Sequence, residues 1–259
     1  PTEIISFMLG VPADSRHKLR QYSLNILGAL DPVVSQERLD EGNASVEEFG
    51  EVLSEIIDQR RSEKNPKSDG EILMSLILGD VNGRRLTNME LVQNCIFLLN
   101  AGHETTTSMV ANSMHMFFSA PDQLKLLKED PDLITTAIEE GLRYESPLQV
   151  GNRVTTGEVE IGGQLLPIGT YIHTSIAGAN RDPAEFYKPE EVDITRKPNR
   201  HIAFAMGHHV CLGATLARME GRIAIGELVK RFPKIQQTGP AISMGLARFR
   251  GFNKIPVKT

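Results

Sequence analysis

Phe204-Ala205-Met206-Gly207-His208-His209-Val210-Cys211-Leu212-Gly213 sets a cysteine between two glycines, just ahead of a helical run that continues to about residue 231 and stops before Pro233. The spacing predicts a thiol at the start of a helix. A sulfur there faces backbone N–H groups without intrahelical partners and the positive end of the helix dipole, and both favour thiolate. Thiolate is the electron-pushing proximal ligand that haem iron takes in one class of sites. Gly207 and Gly213 would let the backbone come close to a flat cofactor. The plainer alternative is a buried structural cysteine, the commoner fate of a lone Cys. His208 and His209 also suggest a transition metal, but H-H-x-C lacks the separated ligand pairs of a zinc site.

Two clusters lie upstream. Glu140-Gly141-Leu142-Arg143 puts a carboxylate and a guanidinium on one face of a helix predicted over about 131–145, ending before Ser146-Pro147. Alone, such a pair reads equally as a solvated ion pair worth a few tenths of a kcal/mol. Ala101-Gly102-His103-Glu104-Thr105-Thr106 falls inside a much longer helix. Thr87 and Glu90 form a capping box at its start, and no proline follows before Pro121, so about 30 residues are free to continue it. Leu91, Val92, Ile96, Phe97, Leu98 and Leu99 make it apolar over much of its girth, as expected of a helix crossing a core. Within it, glycine costs ~1 kcal/mol relative to alanine. An acid is costly unless paired or hydrated, and adjacent threonines can bond back to carbonyls. A cluster breaking three helix preferences at once points to a functional site; the alternative is the polar face of a partly exposed helix.

The remaining chain reads as mostly α with a small β portion. A helix is predicted over 13–30. Ser45 and Glu48 read as a capping box ahead of Phe49, Val52, Leu53, Ile56 and Ile57, in a helix that stops near Arg60, before the polar stretch Ser62–Ser68. Asp69 would cap a short helix carrying Ile72, Leu73, Leu76 and Ile77. Pro121 and Pro131 each suit a first helical turn. Val159 and Ile161, the Gly162-Gly163 turn and Tyr171-Ile172 after Gly169 read as short strands. Residues 181–203 are loop-like, and the tail suggests a strand pair around Arg248–Val257.

With 259 residues the chain fits one large domain or two small ones. Its 40% hydrophobic and 24% charged residues are an ordinary globular balance, and a net charge of −5 gives no basic field for nucleic acid. No run approaches the ~18 apolar residues of a membrane span, and no secretion signal opens the chain. Cys95 and Cys211 are too few for a disulfide framework, so a reducing cytoplasm is the expected setting. The chain opens on Pro1 rather than Met, which makes a natural start there doubtful.

An acid-Thr cluster in a long helix, then E-x-x-R, then F-x-x-G-x-x-x-C-x-G, in that order, resembles the cytochrome P450 family. Ala179-Asn180-Arg181-Asp182-Pro183 is similar to the family's loop after its central strands. Arg250-Gly251-Phe252-Asn253-Lys254-Ile255-Pro256 is similar to its C-terminal strand turn, and Val11-Pro12 after Leu9-Gly10 to the segment near its fifth lettered helix. The resemblance covers nearly the whole chain and is strongest from about residue 85. It implies one P450-like domain over 1–259, lacking the family's N-terminal helices and first strands, with haem b as cofactor. Cys211 would be the axial thiolate, with Phe204 beside the sulfur and Gly207 and Gly213 making room for the macrocycle. His209 and Arg153 would pair with its propionates. Glu140 and Arg143 would form a buried network with a further arginine, Arg181 first and Arg196 as the alternative. Ala101 and Gly102 would adjoin the haem. Gly102, Glu104 and Thr105 match the oxygen-activation notch, where acid and alcohol relay protons during O–O cleavage. Leu98, Ala101, Val150, Gly151, Asn152 and Phe249 would line the substrate pocket, with Asn100, Asn152 and Arg248 as polar contacts. Ala205 departs from the pattern, standing where the family usually has a glycine.

The function so implied is a soluble bacterial-type monooxygenase that inserts one oxygen atom of dioxygen into a small organic substrate. Electrons would come from a ferredoxin- or flavodoxin-like donor and an NAD(P)H reductase. Arg200, Arg218 and Arg222 would offer the donor a local basic patch. Two other readings stand beside it: a haem-free fragment or degenerate homologue acting through contacts, and a haem-thiolate peroxygenase or reductase. Intact Cys211, Glu104 and Thr105 argue against degeneracy, and retention of Glu104 and Thr105 disfavours the last. The 259 residues alone are not expected to form a competent monooxygenase.

Overall fold

A computed structural model describes residues 1–63, 71–80 and 82–259. It divides into two compact units, Pro1–Thr107 and Ser108–Thr259, with the division falling inside one long helix.

The first unit is helical: α1 (Thr2–Met8), α2 (Arg16–Ala29) after a 3-10 turn at Ala13–Ser15, α3 (Gln36–Arg61), α4 (Ile72–Leu78) and the first part of α5 (Asn88–Ser119). Their apolar stripes meet in one core that includes Leu9, Leu19, Phe49, Leu53, Ile57, Leu73, Leu91 and Leu99. α3 begins ten residues ahead of the predicted capping box. Its N-cap is Ser35, whose side chain accepts from Arg38 N, so Ser45 and Glu48 lie inside the helix. Their polarity serves α2 instead: Ser45 Oγ accepts from Asn25 Nδ2 at 2.9 Å, and Glu48 accepts from Tyr22 Oη at 3.0 Å. Gly42 explains the closeness of the two helices, since a Cβ there would stand 2.5 Å from Ala29 Cβ. α4 has Glu71 at its N-cap; Asp69, the predicted cap, and most of the polar stretch before it lie outside the described residues.

The predicted start of α5 is present in full. Thr87 N donates to Glu90 Oε2 at 2.9 Å and Glu90 N to Thr87 Oγ1 at 3.3 Å, a reciprocal cap on a 32-residue helix.

The second unit holds the rest of α5, then α6 (Pro121–Glu129), a 3-10 turn at Pro131–Leu133, α7 (Ile134–Tyr144), α8 (Ile176–Ala179) and α9 (Ala214–Arg231). Both prolines occupy the first turn of their elements, where the missing N–H has no partner to lose. Gly221 on α9 packs so tightly that a Cβ would meet Met109 Cε at 2.8 Å and Ile138 Cδ1 at 3.3 Å. Four two-stranded antiparallel sheets complete the unit. β1 (Val150–Val154) pairs with β4 (Tyr171–Ser175), and β2 (Val159–Ile161) with β3 (Gln164–Leu166). β5 (Gln236–Gln237) pairs with β8 (Val257–Lys258), and β6 (Ile242–Ser243) with β7 (Phe252–Lys254). The tail segments thus pair back to earlier strands rather than with each other. Pro256 separates them, and its carbonyl takes the N–H of Thr238 at 3.0 Å. The predicted class, mostly α with a small β portion, is what the structure has. No helix among the described residues is long and apolar enough to cross a membrane.

Candidate functional site

Cys211 is reached through a tight loop. Ala205 N donates to Ile202 O at 2.9 Å, a 3-10 turn spans Gly207–His209, and Cys211 N closes the loop on Phe204 O at 2.8 Å. α9 then begins with Gly213 at its N-cap and no side chain capping it. Its first N–H groups therefore remain without a side-chain acceptor, next to an exposed thiol. Leu212 beside the sulfur is 93% exposed, an apolar surface that suits a flat apolar partner. Gly207 sits at φ +63°, so glycine is set there by the backbone; at Gly213 a Cβ would meet only Cys211 Sγ, at 4.0 Å. Ala205 has φ +56°, the left-handed conformation that costs an L residue about 1–2 kcal/mol. The departure from glycine therefore falls where glycine has a conformational reason to be.

Among the described residues no group of three or more His, Cys, Asp or Glu is placed to hold a bare metal ion. A single thiol at an uncapped helix start fits a metal that brings its remaining ligands on a macrocycle. His209 and Arg153, expected near the propionates, are both exposed, which suits groups that meet an anion at a rim.

Glu140 and Arg143 are fully buried and joined by two bonds of 2.8 Å. Arg143 spends its other N–H groups on the carbonyls of Asn180, Pro189 and Glu191, and Glu140 also accepts from Asp193 N and Asn199 Nδ2. The pair is thus desolvated but satisfied, the condition under which a buried ion pair is tolerated. The third arginine is Arg196, whose Nε lies 3.2 Å from Glu140 Oε2. Arg181, the preferred expectation, is corrected: it lies over the Tyr144 ring, donates twice to Tyr144 O and pairs with Glu190. Those partners hold its guanidinium at the C-terminal end of α7. Asn180 was not singled out by sequence, yet it is fully buried and links three segments. Its carbonyl takes Arg143, its amide N donates to Ser146 Oγ, and its amide O accepts from Ile202 N ahead of the cysteine loop.

Glu139, the neighbour of Glu140, faces the other way. Its carboxylate accepts from Arg218 Nε and Nη2 at 2.7 and 2.8 Å and from His201 Nε2 at 3.0 Å. Burial works to raise this carboxyl, but the bonds and charges of His201 and Arg218 outweigh it and hold it at about 2. Arg218 also lies 4.5 Å from the Phe204 ring. Its guanidinium is thereby engaged by Glu139, so of the three arginines expected to form a basic patch, Arg200 and Arg222 are the exposed ones. The sequence carries a faint signal for Glu139, an acid directly preceding E-x-x-R, and none for its partners.

Strand β1 carries Val150, Gly151 and Asn152, expected at the pocket, and Arg153. Asn152 lies opposite His173 and Arg153 opposite Ile172. By the two-residue period Gly151 and Arg153 share one face, while Val150 and Asn152 share the other. A Cβ on Gly151 would meet Thr174 Oγ1 at 2.7 Å and lie 3.8 Å from Arg153 Nη1. Phe249 is buried and bridges to Leu148.

In the first unit, the acid-Thr cluster occupies unbroken helix. Thr105 Oγ1 donates to Ala101 O at 2.6 Å, and Asn100 Nδ2 to Ile96 O at 2.8 Å, so these polar groups bond back along α5 rather than interrupt it. Gly102 approaches α1 closely, with Ile5 Cδ1 3.3 Å from where a Cβ would be. Glu104 and His103 are both buried. Their 3.5 Å contact is no ion pair at neutral pH, because burial lowers His103 to about 4. Ala101 is exposed and Leu98 half-buried. Glu104, Thr105 and Leu98 thus belong to the first unit, and Cys211, His209, Arg153 and Phe249 to the second.

The sequence profile of the Cytochrome P450 family matches residues 18–246. The chain belongs to the cytochrome P450 family. Among curated P450s, the biotin biosynthesis cytochrome P450 of Bacillus subtilis (strain 168) is 39% identical over 232 residues, covering 90% of this chain and 58% of that protein. The vitamin D(3) 25-hydroxylase of Pseudonocardia autotrophica is 36% identical, covering 99% and 62%. A crystal structure of P450BioI in complex with hexadec-9Z-enoic acid ligated acyl carrier protein superposes with a TM-score of 0.93 at 36% identity, covering 99% of this chain and 65% of that one. The chain thus spans 58% to 62% of the length of these two curated P450s.

Proposed function

We propose that this chain is part of a haem b monooxygenase that inserts one atom of dioxygen into a small organic substrate. The observation that carries the reading is Cys211, exposed at a helix start that no side chain caps, within a loop closed on Phe204. Haem, when bound, would supply the activation of dioxygen and the transfer of its oxygen atom. Cys211 would ligate the iron through sulfur, Gly207 and Gly213 would leave room for the macrocycle, and Arg153 and His209 would neutralise its carboxylates. Glu104 and Thr105 would hold and pass protons at the Oε and Oγ1 atoms. Val150, Gly151, Asn152 and Phe249 are proposed pocket walls. Residues 1–259 are read as one P450-like domain, N-terminally incomplete, working in the cytoplasm.

The proposed electron source is a ferredoxin- or flavodoxin-like protein with its NAD(P)H reductase. The diversity of molecules printed with the relatives, from vitamin D(3) in one name to a fatty acid ligated to acyl carrier protein in a complex, supports the reaction class rather than one substrate. The test is turnover of the full-length protein with such a donor under isotopically labelled dioxygen. One labelled oxygen atom per product is expected; a product whose new oxygen is unlabelled, drawn from water, would contradict the assignment.

A further inference from the structure

We propose that Arg218 is a positioning residue for the cysteine loop. Held by Glu139 and laid over Phe204, it keeps Ala205 in the left-handed turn that brings Cys211 to the start of α9. The proposal rests on the haem-thiolate reading of Cys211.

Two left-handed residues shape the loop, Ala205 and Gly207. Gly207 adopts that conformation freely, whereas the Cβ of Ala205 opposes it. Relaxation of Ala205 would rotate the peptide that follows Phe204, whose carbonyl holds Cys211 N at 2.8 Å. A strained backbone persists only where its surroundings over-determine it. Here two sets of contacts just ahead of Ala205 do so. In one, His201 Nδ1 lies 3.2 Å from Ala203 N and its Nε2 3.0 Å from the Glu139 carboxylate. In the other, the Phe204 ring lies against the Arg218 guanidinium, which grips the same carboxylate with two N–H groups. Glu139 on α7 and Arg218 on α9 thus fasten residues 201 and 204 to two helices. A lysine would carry the charge without the planar fork or the flat stacking face.

The experiment uses the full-length, haem-loaded protein and its R218K, A205G and A205G/R218K variants. The readout is the rate at which the red-shifted ferrous–CO band of thiolate ligation converts, on mild warming, to the band of a protein that has lost its thiolate. R218K is expected to convert about tenfold faster, the scale of one unsupported left-handed residue. Added A205G should bring the rate back to within about twofold, because glycine needs no support there. An unchanged rate in R218K, or a double variant as fast as R218K, would overturn the proposal. If R218K fails to accumulate, A205G alone decides: slower conversion supports the proposal and an unchanged or faster rate overturns it. Absence of the red-shifted band in the unsubstituted protein would instead sink the haem-thiolate reading, and the proposal with it.

Discussion

At Thr105 the hydroxyl has a structural partner, the Ala101 carbonyl at 2.6 Å, which a helix can lose at little expense. Thr105→Ala should therefore leave haem content and stability nearly unchanged while uncoupling turnover, so that more peroxide is released per product. Thr105→Ser should keep the coupling, and peroxide-to-product ratios of the three proteins measure it; equal ratios would remove Thr105 from the proton relay. Glu139 makes a different prediction. Its carboxyl is held at about 2 against an ordinary 4.5, so its stabilising contribution is fully present above about pH 4.5 and is lost as pH falls towards 2. Part of the shift is screened at the half-exposed Arg218, which leaves on the order of 2 kcal/mol. In Glu139→Gln, unfolding free energy measured by denaturant titration should lose that part of its acid dependence; a slope identical to the parent's would refute the assignment. Cys211, Glu140 and Arg143 were legible because each sits in a pattern of fixed spacing. His201 and Asn180 were not, because they act across long sequence separations: Glu139 is bonded to His201, and Asn180 to Ile202.

At the scale of elements, periodicity located α5 and both its ends, since the reciprocal cap at Thr87 and Glu90 and the stop before Pro121 are local chemistry. The start of α3 was misplaced for an equally physical reason. Ser45 and Glu48 have capping-box spacing, but Asn25 and Tyr22 of α2 use their side chains, and only the tertiary fold reveals that competition. The close approach of α2 and α3 makes Gly42 sensitive. Gly42→Val would force its Cβ into Ala29 and should destabilise by about 1–3 kcal/mol, the usual cost of overpacking. Thermal unfolding checks this, and Gly42→Val combined with Ala29→Gly should recover part of the loss. No loss in the single variant would mean the helices do not pack at that point.

At the scale of the whole molecule, large apolar side chains stand exposed in both units, among them Phe7, Met89 and Phe97 in the first and Leu165, Ile168 and Leu212 in the second. Apolar surface left in water forfeits about 25 cal/mol per Å². A few hundred Å² then approach the stability margin of a domain, about 5–15 kcal/mol. Residues 1–259 expressed alone should therefore retain haem poorly and turn over uncoupled, compared with a protein extended to the length of the curated P450s. Stoichiometric haem and coupled turnover in the short form would contradict that. The central claim concerns Cys211 itself, and the ferrous–CO absorption spectrum tests it most directly. The full-length protein should show the red-shifted Soret band of thiolate ligation, and Cys211→Ser, at equal haem content, should lose it. Persistence of that band in Cys211→Ser would show that the iron ligand lies elsewhere.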